Sequence, residues 1–225
     1  MTRNTFKSQL FDQFARVGKA LSSGVRLQIL ELLAQGERSV EALARALDQS
    51  IANVSQHLRQ LRQSGLIVAR KEGQFVFYRV ASDEVIRLLC ALQQVGEANL
   101  AEISNMVSVF LTQKDTLEPV PARELLERAR LGLVTVLDVR PRREYEAGHL
   151  PGAINLPLDE LEKRLSELPA DREIVAYCRG PYCMLAFEAV AKLRQKGLRA
   201  RRLEAGFPEW RLRGLPVETG GARTA

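Results

Sequence analysis

Apolar positions follow two different patterns along the chain. Up to about residue 111 they recur mostly at helical spacing, interrupted by one pair of β-rich runs. Beyond residue 121, short continuous apolar runs alternate with helical patterns. The first part therefore predicts helices with a single hairpin, and the second predicts a small α/β domain, a parallel sheet with helices on both faces.

The first part has clear helix boundaries. Ser39 and Ser50 are N-cap residues, and Ser64-Gly65 is a C-terminal signal. We predict helices over 6–21, 26–34, 40–47 and 51–63, strands over 66–70 and 75–80, and a long helical stretch from 83 to about 111. The order of helix, tight turn, helix and hairpin is that of a mainly-α winged helix-turn-helix.

The fourth helix has one apolar and one polar face. The apolar face, expected to pack inward, is formed by Ile51, Val54, Leu58 and Leu61. The opposite face is rich in amide side chains that suit base edges in the major groove, and the hairpin tip can lie against phosphate. The candidate DNA-binding residues are Ser50, Asn53, Ser55, Gln56, His57, Arg59, Gln60 and Lys71. For His57, support of the helix is an open alternative.

The second part predicts an alternation of helices and strands. Helices are expected over 122–129, 158–168 and 184–196, and strands over 133–139, 174–177 and about 200–203. The segment 112–121, with two prolines, is interpreted as a linker. We therefore predict a winged helix-turn-helix domain over 1–111, an α/β domain over 122–218, and an unstructured tail over 219–225.

Cys178 stands where an activated thiolate is expected. It follows a buried strand and opens a loop that runs into a helix. Loop amides and the helix N-terminus can stabilise a thiolate and lower the pKa of its thiol from about 8.5. The loop continues through Arg179, Gly180, Pro181, Tyr182, Cys183 and Met184.

Charge permits nucleic-acid binding without locating it. The net charge is +6 and the pI is near 9.5. Residues 1–110 carry 13 basic and 10 acidic side chains, and residues 111–225 carry 20 and 17, so each half contributes +3. The local excess is clearer, because residues 57–79 hold five Lys or Arg against Glu72 alone.

Three cysteines are too few for a disulfide scaffold and indicate thiol chemistry in a reduced compartment. The amino terminus leads into an amphipathic stretch with no uninterrupted apolar segment, so we expect neither a signal peptide nor a membrane span, and a cytoplasmic location. Nothing in the sequence calls for a cofactor.

The first part resembles the ArsR family of bacterial repressors. The resemblance rests on residues 19–22, 26–30 and 54–61 and on Gly65-Leu66-Ile67. It implies a homodimer, formed through the first and last helices, that binds double-stranded operator DNA. The apolar seam of the last helix would be Val85, Ile86, Leu88, Leu89, Leu92 and Val95. Many members sense metals, but residues 37–43 contain no cysteine and the last helix no histidine, so no metal site is expected here.

The second part resembles a rhodanese domain. The resemblance rests on residues 137–140, 144–155, 177–180 and 204–210. It implies that Cys178 carries sulfane sulfur as a persulfide, that the amides of residues 179–183 form a cradle, and that Asp138, Arg140 and His149 mostly support the fold. Related phosphatases need Cys-x5-Arg, and Met184 in place of that arginine disfavours phosphoryl chemistry.

Cys183 departs from the family pattern. Many sulfurtransferases have a basic residue there to bind the anionic donor, whereas here only Arg179 could help. Cys183 is either a resolving thiol for a Cys178 persulfide or a helix-start residue that packs inward. Cys90, among leucines, is interpreted as a core or dimer-interface residue.

Two functions follow from the combined resemblance. The first is a DNA-binding transcriptional regulator that senses reactive sulfur, from a donor such as thiosulfate or a persulfide, through Cys178. The second is a working sulfurtransferase with an accessory DNA-binding domain. The sequence leaves open whether catalytic turnover takes place.

Overall fold

The computed structural model describes residues 3–112 and 118–220. Two compact units cover 1–91 and 92–225, so the division falls within the helix predicted to close the first domain. The predicted fold classes, a mainly-α winged helix-turn-helix and a small parallel-sheet domain, are confirmed.

The first unit follows the predicted order of elements. They are α1 (Arg3–Leu21), α2 (Gly24–Ala34), β1 (Arg38–Ser39), α3 (Val40–Leu47), α4 (Ile51–Gln63), β2 (Ile67–Glu72), β3 (Phe75–Val80) and the first half of α5 (Asp83–Asn99). Ser39 Oγ accepts a hydrogen bond from Ala42 N, and Ser50 Oγ accepts one from Asn53 N, as expected of N-caps. Asp48, with a φ of 51°, makes the tight turn between α3 and α4.

The hairpin belongs to a three-stranded antiparallel sheet in the order β1-β3-β2. We did not predict β1, because two polar residues carry no strand periodicity. Its Arg38 is nevertheless buried and donates from Nε to the Leu32 carbonyl, 3.3 Å away. Strand β1 therefore ties the hairpin to the end of α2.

The helical stretch predicted from 83 to about 111 is interrupted once. Helix α5 ends at Asn99, and Leu100 is extended before α6 (Ala101–Val107) and a π-helical turn over Ser108–Thr112. A Cβ placed on Gly96 would lie 3.0 Å from Ile103 Cδ1, so the small residue leaves room for the Ile103 side chain after the break. Apolar periodicity continues through the break, which is why the sequence pattern did not reveal it.

Two helices leave apolar side chains exposed. In α1 these are Phe6, Leu10, Phe11 and Phe14, and in α5 they are Leu88, Leu92 and Val95. By contrast Val85, Ile86 and Leu89 are buried within the unit. Only part of the seam predicted on α5 is therefore available to another molecule.

The second unit contains a four-stranded parallel sheet. After the second half of α5, α6 and the π-helical turn, its elements are α7 (Ala122–Arg130), β4 (Val134–Asp138), α8 (Arg142–Ala147), β5 (Ile154–Asn155), β6 (Glu173–Tyr177), α9 (Met184–Gln195), β7 (Ala200–Arg202) and α10 (Phe207–Leu212). The strand order is β5-β4-β6-β7. Neither α8 nor β5 was predicted, since both are short.

The helix predicted over 158–168 was wrong. The segment is a series of turns that ends in a 3₁₀ helix, Leu165–Glu167. Leu161 and Leu168 are nevertheless buried at helix-like spacing. The turns bury these leucines as a helix would, so their spacing alone did not distinguish turns from a helix.

The sheet separates two apolar clusters. One contains Val136 and Tyr177 with residues of α7 and α10, and the other contains Leu137 and Ala176 with residues of α9. Cys178, immediately after β6, belongs to the α9 side. The candidate cysteine thus lies at the carboxyl ends of the parallel strands, which is the edge of the sheet where such folds bind ligands.

The predicted linker and tail both contain ordered contacts. Val120 is fully buried and its N–H donates to the Arg202 carbonyl, so the end of the predicted linker is part of the second core. At the start of the predicted tail, Gly220 N donates to the Glu146 carbonyl at 3.0 Å, close to the antiparallel bridge between Glu218 and His149. Residues 113–117 of the linker and 221–225 of the tail lie outside the described residues.

Every helix in the described parts of the chain is too short or too polar to span a lipid bilayer.

Candidate functional site

The structure joins the two loop cysteines. Cys178 and Cys183 form a disulfide, with their Cα atoms 6.4 Å apart. Cys178 is only 2% exposed, whereas Cys183 is half-buried and immediately precedes α9 without capping it through its side chain. The proximity that sequence separation could not guarantee is therefore present in the folded chain.

The connection between β7 and α10 braces the loop from behind. Phe207 N donates to the Cys178 carbonyl at 3.0 Å. A Cβ on Gly206 would fall 2.3 Å from Gly180 N and 2.4 Å from the Arg179 carbonyl carbon. Because those contacts are with backbone, only glycine at position 206 permits this approach.

Arg179 points to a buried carboxylate. Its Nη2 and Nε atoms donate to Glu144, with the shortest contact 2.7 Å from Nη2 to Oε1. Glu144, in α8, is 2% exposed. The bidentate pair compensates the buried charge and fixes the first side chain of the loop. Arg179 is thus engaged in positioning the loop, rather than directed at an anionic donor.

A second buried network lies beside this pair. Arg140 and Asp138, both fully buried, form an ion pair, and Tyr177 donates its hydroxyl hydrogen to Asp138 Oδ2 at 2.5 Å. Burial, followed by the negative charge of Asp138, raises the pKa of Tyr177 well above its ordinary value. Tyr177 also accepts from Leu150 N, so the network holds the segment before β5 in place.

His149 has structural contacts. Its ring stacks on Tyr145 with centroids 3.7 Å apart, and Nδ1 lies 2.9 Å from the Tyr145 carbonyl oxygen. Nε2 is 3.6 Å from Glu218 Oε2. These contacts fasten the end of the described chain to α8.

The polar face of α4 is accessible. Gln56, Arg59 and Gln60 are exposed, while Asn53, Ser55 and His57 are half-buried and Ser50 serves as the N-cap. Val54, Leu58 and Leu61 pack inward, but Ile51 is 51% exposed, so its predicted burial was wrong. As the first residue of α4, Ile51 lies at the helix end and is not covered by the core.

Two polar contacts orient this face. Asn53 Nδ2 donates to Gln49 Oε1 at 2.8 Å, and Arg26 Nη1 donates to Gln60 Oε1 at 2.6 Å. Arg26 is itself buried and donates from Nε to the Ala20 carbonyl. Our sequence reasoning missed Arg26 as the anchor of α4, although it belongs to a motif that carried the family resemblance.

His57 sits in an unfavourable setting for a proton. Its Nδ1 atom is buried and has no hydrogen-bond partner in the described structure. Desolvation, followed by the positive charge of Arg26, lowers the pKa of His57 from its ordinary value of about 6.5. The ring is therefore neutral near pH 7 and offers no positive charge to phosphate.

The hairpin of β2 and β3, which is the wing of the winged helix-turn-helix, carries an ion-paired arginine next to an exposed lysine. Arg70 donates to Glu37 Oε2 at 2.6 Å and to Glu72 Oε2 at 2.5 Å, whereas Lys71 is exposed beside it. The basic excess counted along 57–79 is thus partly neutralised by Glu37. Lys71 and Arg59 are both exposed.

No group of three or more His, Cys, Asp or Glu side chains within the described ranges is arranged to hold a metal ion.

Comparison with known proteins assigns both halves. Residues 23–68 match the model of the bacterial regulatory protein, arsR family, and residues 121–213 match the rhodanese-like domain. The HTH-type transcriptional regulator Rv0324 of Mycobacterium tuberculosis is 49% identical over 214 residues, covering 95% of this chain and 94% of that protein. The chain belongs to the ArsR-family transcriptional regulators with a C-terminal rhodanese domain.

Two further similarities each cover part of this regulator. A sulfurtransferase of Allochromatium vinosum is 36% identical over 85 residues, covering 37% of this chain and 78% of that protein. The solution structure of the homodimeric winged helix-turn-helix DNA-binding domain of Mb0332 from Mycobacterium bovis is 50% identical, with a TM-score of 0.40, covering 42% of this chain and 87% of that one.

We predict that Gly206→Ala displaces the loop over residues 178–184 of the regulator, called the sulfur loop below, and slows alkylation of reduced Cys178 at pH 6.5. The added methyl group collides with the backbone of Arg179 and Gly180, so the loop moves and its backbone amides are expected to stabilise the Cys178 thiolate less well. Iodoacetamide labelling followed by peptide mass spectrometry measures the rate.

Gly180→Ala is the matched control for that experiment. A Cβ on Gly180 meets only Glu209 Oε1, at 3.8 Å, which is an ordinary contact. The labelling rate should stay close to that of the wild type. Equal slowing by both substitutions would show that the loop is not braced through Gly206.

We also predict that His57 titrates below about 6.5 in the regulator. Since the unfolded chain then binds the proton more readily, lowering the pH through this range destabilises the folded first unit. NMR titration of the ring Cε1 proton, assigned with His57→Gln, measures the pKa. A midpoint at or above 6.5 would mean that the ring is better solvated than the structure indicates.

Proposed function

We propose that this regulator binds operator DNA as a homodimer and that sulfur chemistry at Cys178 changes its affinity for that DNA. The observation that carries the proposal is the pairing of Cys178 with Cys183 on the loop after β6. The same chain holds a reactive cysteine pair and a DNA-binding fold. A chemical change in the sulfur loop can therefore change DNA binding and, through it, transcription.

Sulfur loading begins with the reduced thiolate of Cys178. It attacks the outer sulfur of a sulfane donor, forms an S–S bond and releases the remainder of the donor as its leaving group. The product is a Cys178 persulfide, and sulfur is transferred without net oxidation of the protein and donor together. Backbone N–H groups of the loop, apart from Pro181, which has none, stabilise the thiolate and the persulfide.

Resolution converts the persulfide into a disulfide. The Cys183 thiolate attacks the inner sulfur, which is Cys178 Sγ, and hydrosulfide leaves with the terminal sulfur. The two thiols have then lost two electrons to the sulfane sulfur, which departs as sulfide. A cellular dithiol reductant returns the loop to its reduced state by thiol–disulfide exchange.

The DNA contacts proposed for α4 combine specificity and affinity. Gln56 and the neighbouring amide side chains face the major groove, where amides read base edges. Arg59 on the helix and Lys71 on the wing contact phosphate and position the protein. His57, being neutral, supports the helix and the orientation of its polar face.

Self-association is proposed through the exposed apolar faces of α1 and α5. Phe6, Phe11 and Phe14 are each more than half exposed, as is Val95 on α5. Apolar surface of this kind is covered in a stable protein by a partner of similar character. A second copy of the same chain supplies such a surface and places two α4 helices about one DNA turn apart.

Steady sulfur transfer is the second candidate function, favoured by the similarity to the sulfurtransferase of Allochromatium vinosum. Its signature is release of more than one sulfur per protomer to an acceptor such as cyanide. Stoichiometric loading without turnover supports the sensor instead.

The sensor function predicts that one equivalent of sulfane donor changes operator affinity. The probe is a genomic DNA fragment selected by binding to the reduced full-length protein, and fluorescence anisotropy measures Kd before and after donor treatment. We expect a change of about tenfold, equivalent to about 1.4 kcal/mol of coupling free energy. An unchanged Kd in the wild type would refute the coupling.

Two serine variants show which cysteine the change in DNA affinity requires. Cys178→Ser should bind DNA but show no response to donor. Cys183→Ser should accept sulfur at Cys178 without forming the disulfide, which separates the effect of the persulfide from that of the disulfide. Cys90→Ser is the matched control and should respond as the wild type does.

A further inference from the structure

A pocket of about 420 Å³ in the first unit is lined by basic and polar side chains. It lies where the end of α1, the start of α2 and the end of α4 meet. The residues around it are Arg16, Lys19, Ala20, Ser22, Arg26, Gln60, Gln63 and Ser64. Three of them are cations and none is a carboxylate, so the lining favours an anion.

Arg26 places a buried positive charge at this pocket, with the residue only 9% exposed. Its hydrogen bonds go to neutral acceptors, which are the carbonyl oxygens of Lys19 and Ala20, Gln60 Oε1 and Ser22 Oγ. These four bonds leave one of the five guanidinium N–H groups, on Nη1, for a ligand. Within the described ranges Arg26 has no carboxylate partner, whereas the buried Arg140 is paired with Asp138. An uncompensated buried charge is destabilising, and an anion beside Arg26 would relieve it.

Arg16 and Lys19 add two exposed charges to the lining. Arg16 Nη1 donates to the neutral Gln13 Oε1 at 2.7 Å, and neither cation forms an ion pair in the part of the chain that the structure describes. Helices α1 and α4 both end at the pocket, and the C-terminal end of a helix carries a partial charge of about −0.5. The two ends offset about one of the three positive charges, so the pocket keeps a net charge of about +2.

This net charge suits a phosphate monoester better than a phosphodiester. A monoester carries about −1.5 to −2 at pH 7 and offers three acceptor oxygens, whereas each phosphate of DNA carries a single negative charge. The pocket volume is also within the range of about 300–1,000 Å³ that small-molecule sites have. Charge and size together indicate a small phosphorylated compound.

The pocket lies at the end of α4 that is remote from base readout. The recognition helix of a helix-turn-helix contacts bases with its N-terminal residues. Gln60 and Gln63 are in the last turn of α4, and Ser64 is its C-cap. Since Arg26 also donates to Gln60, a ligand here would contact the arginine that anchors the polar face of α4.

We propose that this pocket is a second ligand site, which binds the phosphate group of a small phosphate monoester between Arg16, Lys19 and Arg26. The ligand is a free compound rather than the operator backbone. The site is formed by the first unit alone, so it does not depend on the proposed sulfur chemistry.

Methyl phosphate and dimethyl phosphate are matched probes of the site. The first is a monoester, and the second copies the singly charged diester of DNA. Each is titrated into the reduced full-length protein at about pH 7.5 and constant ionic strength. NMR follows the ring Cε1 protons of His57 and His149, the only histidines in the sequence. His57 reports on the pocket, because the positive charge of Arg26 is, after desolvation, a cause of its lowered pKa.

Methyl phosphate should shift the His57 signal saturably and leave the His149 signal unchanged. It should bind at least about fivefold more tightly than dimethyl phosphate, which is the effect of one further exposed charge pair. The absence of a saturable shift, or equal affinity for both probes, would overturn the proposal.

Two lysines of α1 provide a matched pair of variants. Lys7 is exposed like Lys19, but it lies outside the pocket, about 18 Å away along the helix. Lys19→Gln should weaken methyl phosphate binding about fivefold, whereas Lys7→Gln should leave the Kd unchanged. Equal weakening by both substitutions would show a general effect of charge and no site.

Operator binding distinguishes a free ligand from DNA phosphate. The slope of log K against log salt concentration becomes shallower by about 0.9 for each phosphate contact that is lost. For a free monoester, Lys19→Gln and Lys7→Gln should give equal slopes with the selected operator fragment. A slope shallower by about one unit in Lys19→Gln alone would assign the pocket to the DNA backbone and overturn the proposal. The NMR titrations need no DNA, so they test the site even if the proposed operator binding fails.

Discussion

The chemistry of this chain depends on the close approach of two loops at the carboxyl edge of a parallel sheet. Gly206 lies so near Gly180 and Arg179 that no side chain fits between the two backbones. The hydrogen bond from Phe207 N to the Cys178 carbonyl fixes the start of the same loop. With its backbone held from behind, the loop can keep Cys178 and Cys183 within bonding distance of each other.

Charge compensation sets the character of the site. Two buried carboxylates, Asp138 and Glu144, are each matched by an arginine, Arg140 and Arg179. Removing either partner would leave an uncompensated buried charge, so the arginines are committed to structure. As a result, the loop has backbone amides that can stabilise a thiolate but little positive charge to attract an anionic donor.

Much of this organisation was predictable from sequence. The fold classes and the extents of α3 and α4 followed from apolar periodicity and N-cap serines, because those signals are local. The break at Leu100, the turns over 158–168 and the strand at Arg38 were missed, since each depends on contacts between segments distant in sequence or on packing that periodicity does not encode. The engagement of Arg179 by Glu144 was missed for the same reason, as 35 positions separate the two residues.

The family assignment makes the chain a transcriptional regulator with a rhodanese domain, and the central claim is that the two halves are thermodynamically coupled. Coupling of this kind is reciprocal: if formation of the disulfide changes DNA affinity, DNA must change the ease of forming the disulfide by the same factor. The most direct measurement is the midpoint reduction potential of the Cys178–Cys183 pair, with and without saturating operator DNA. If the two halves are coupled, the potential is displaced by about 30 mV for each tenfold difference in affinity. Identical potentials in the two titrations would contradict the coupling.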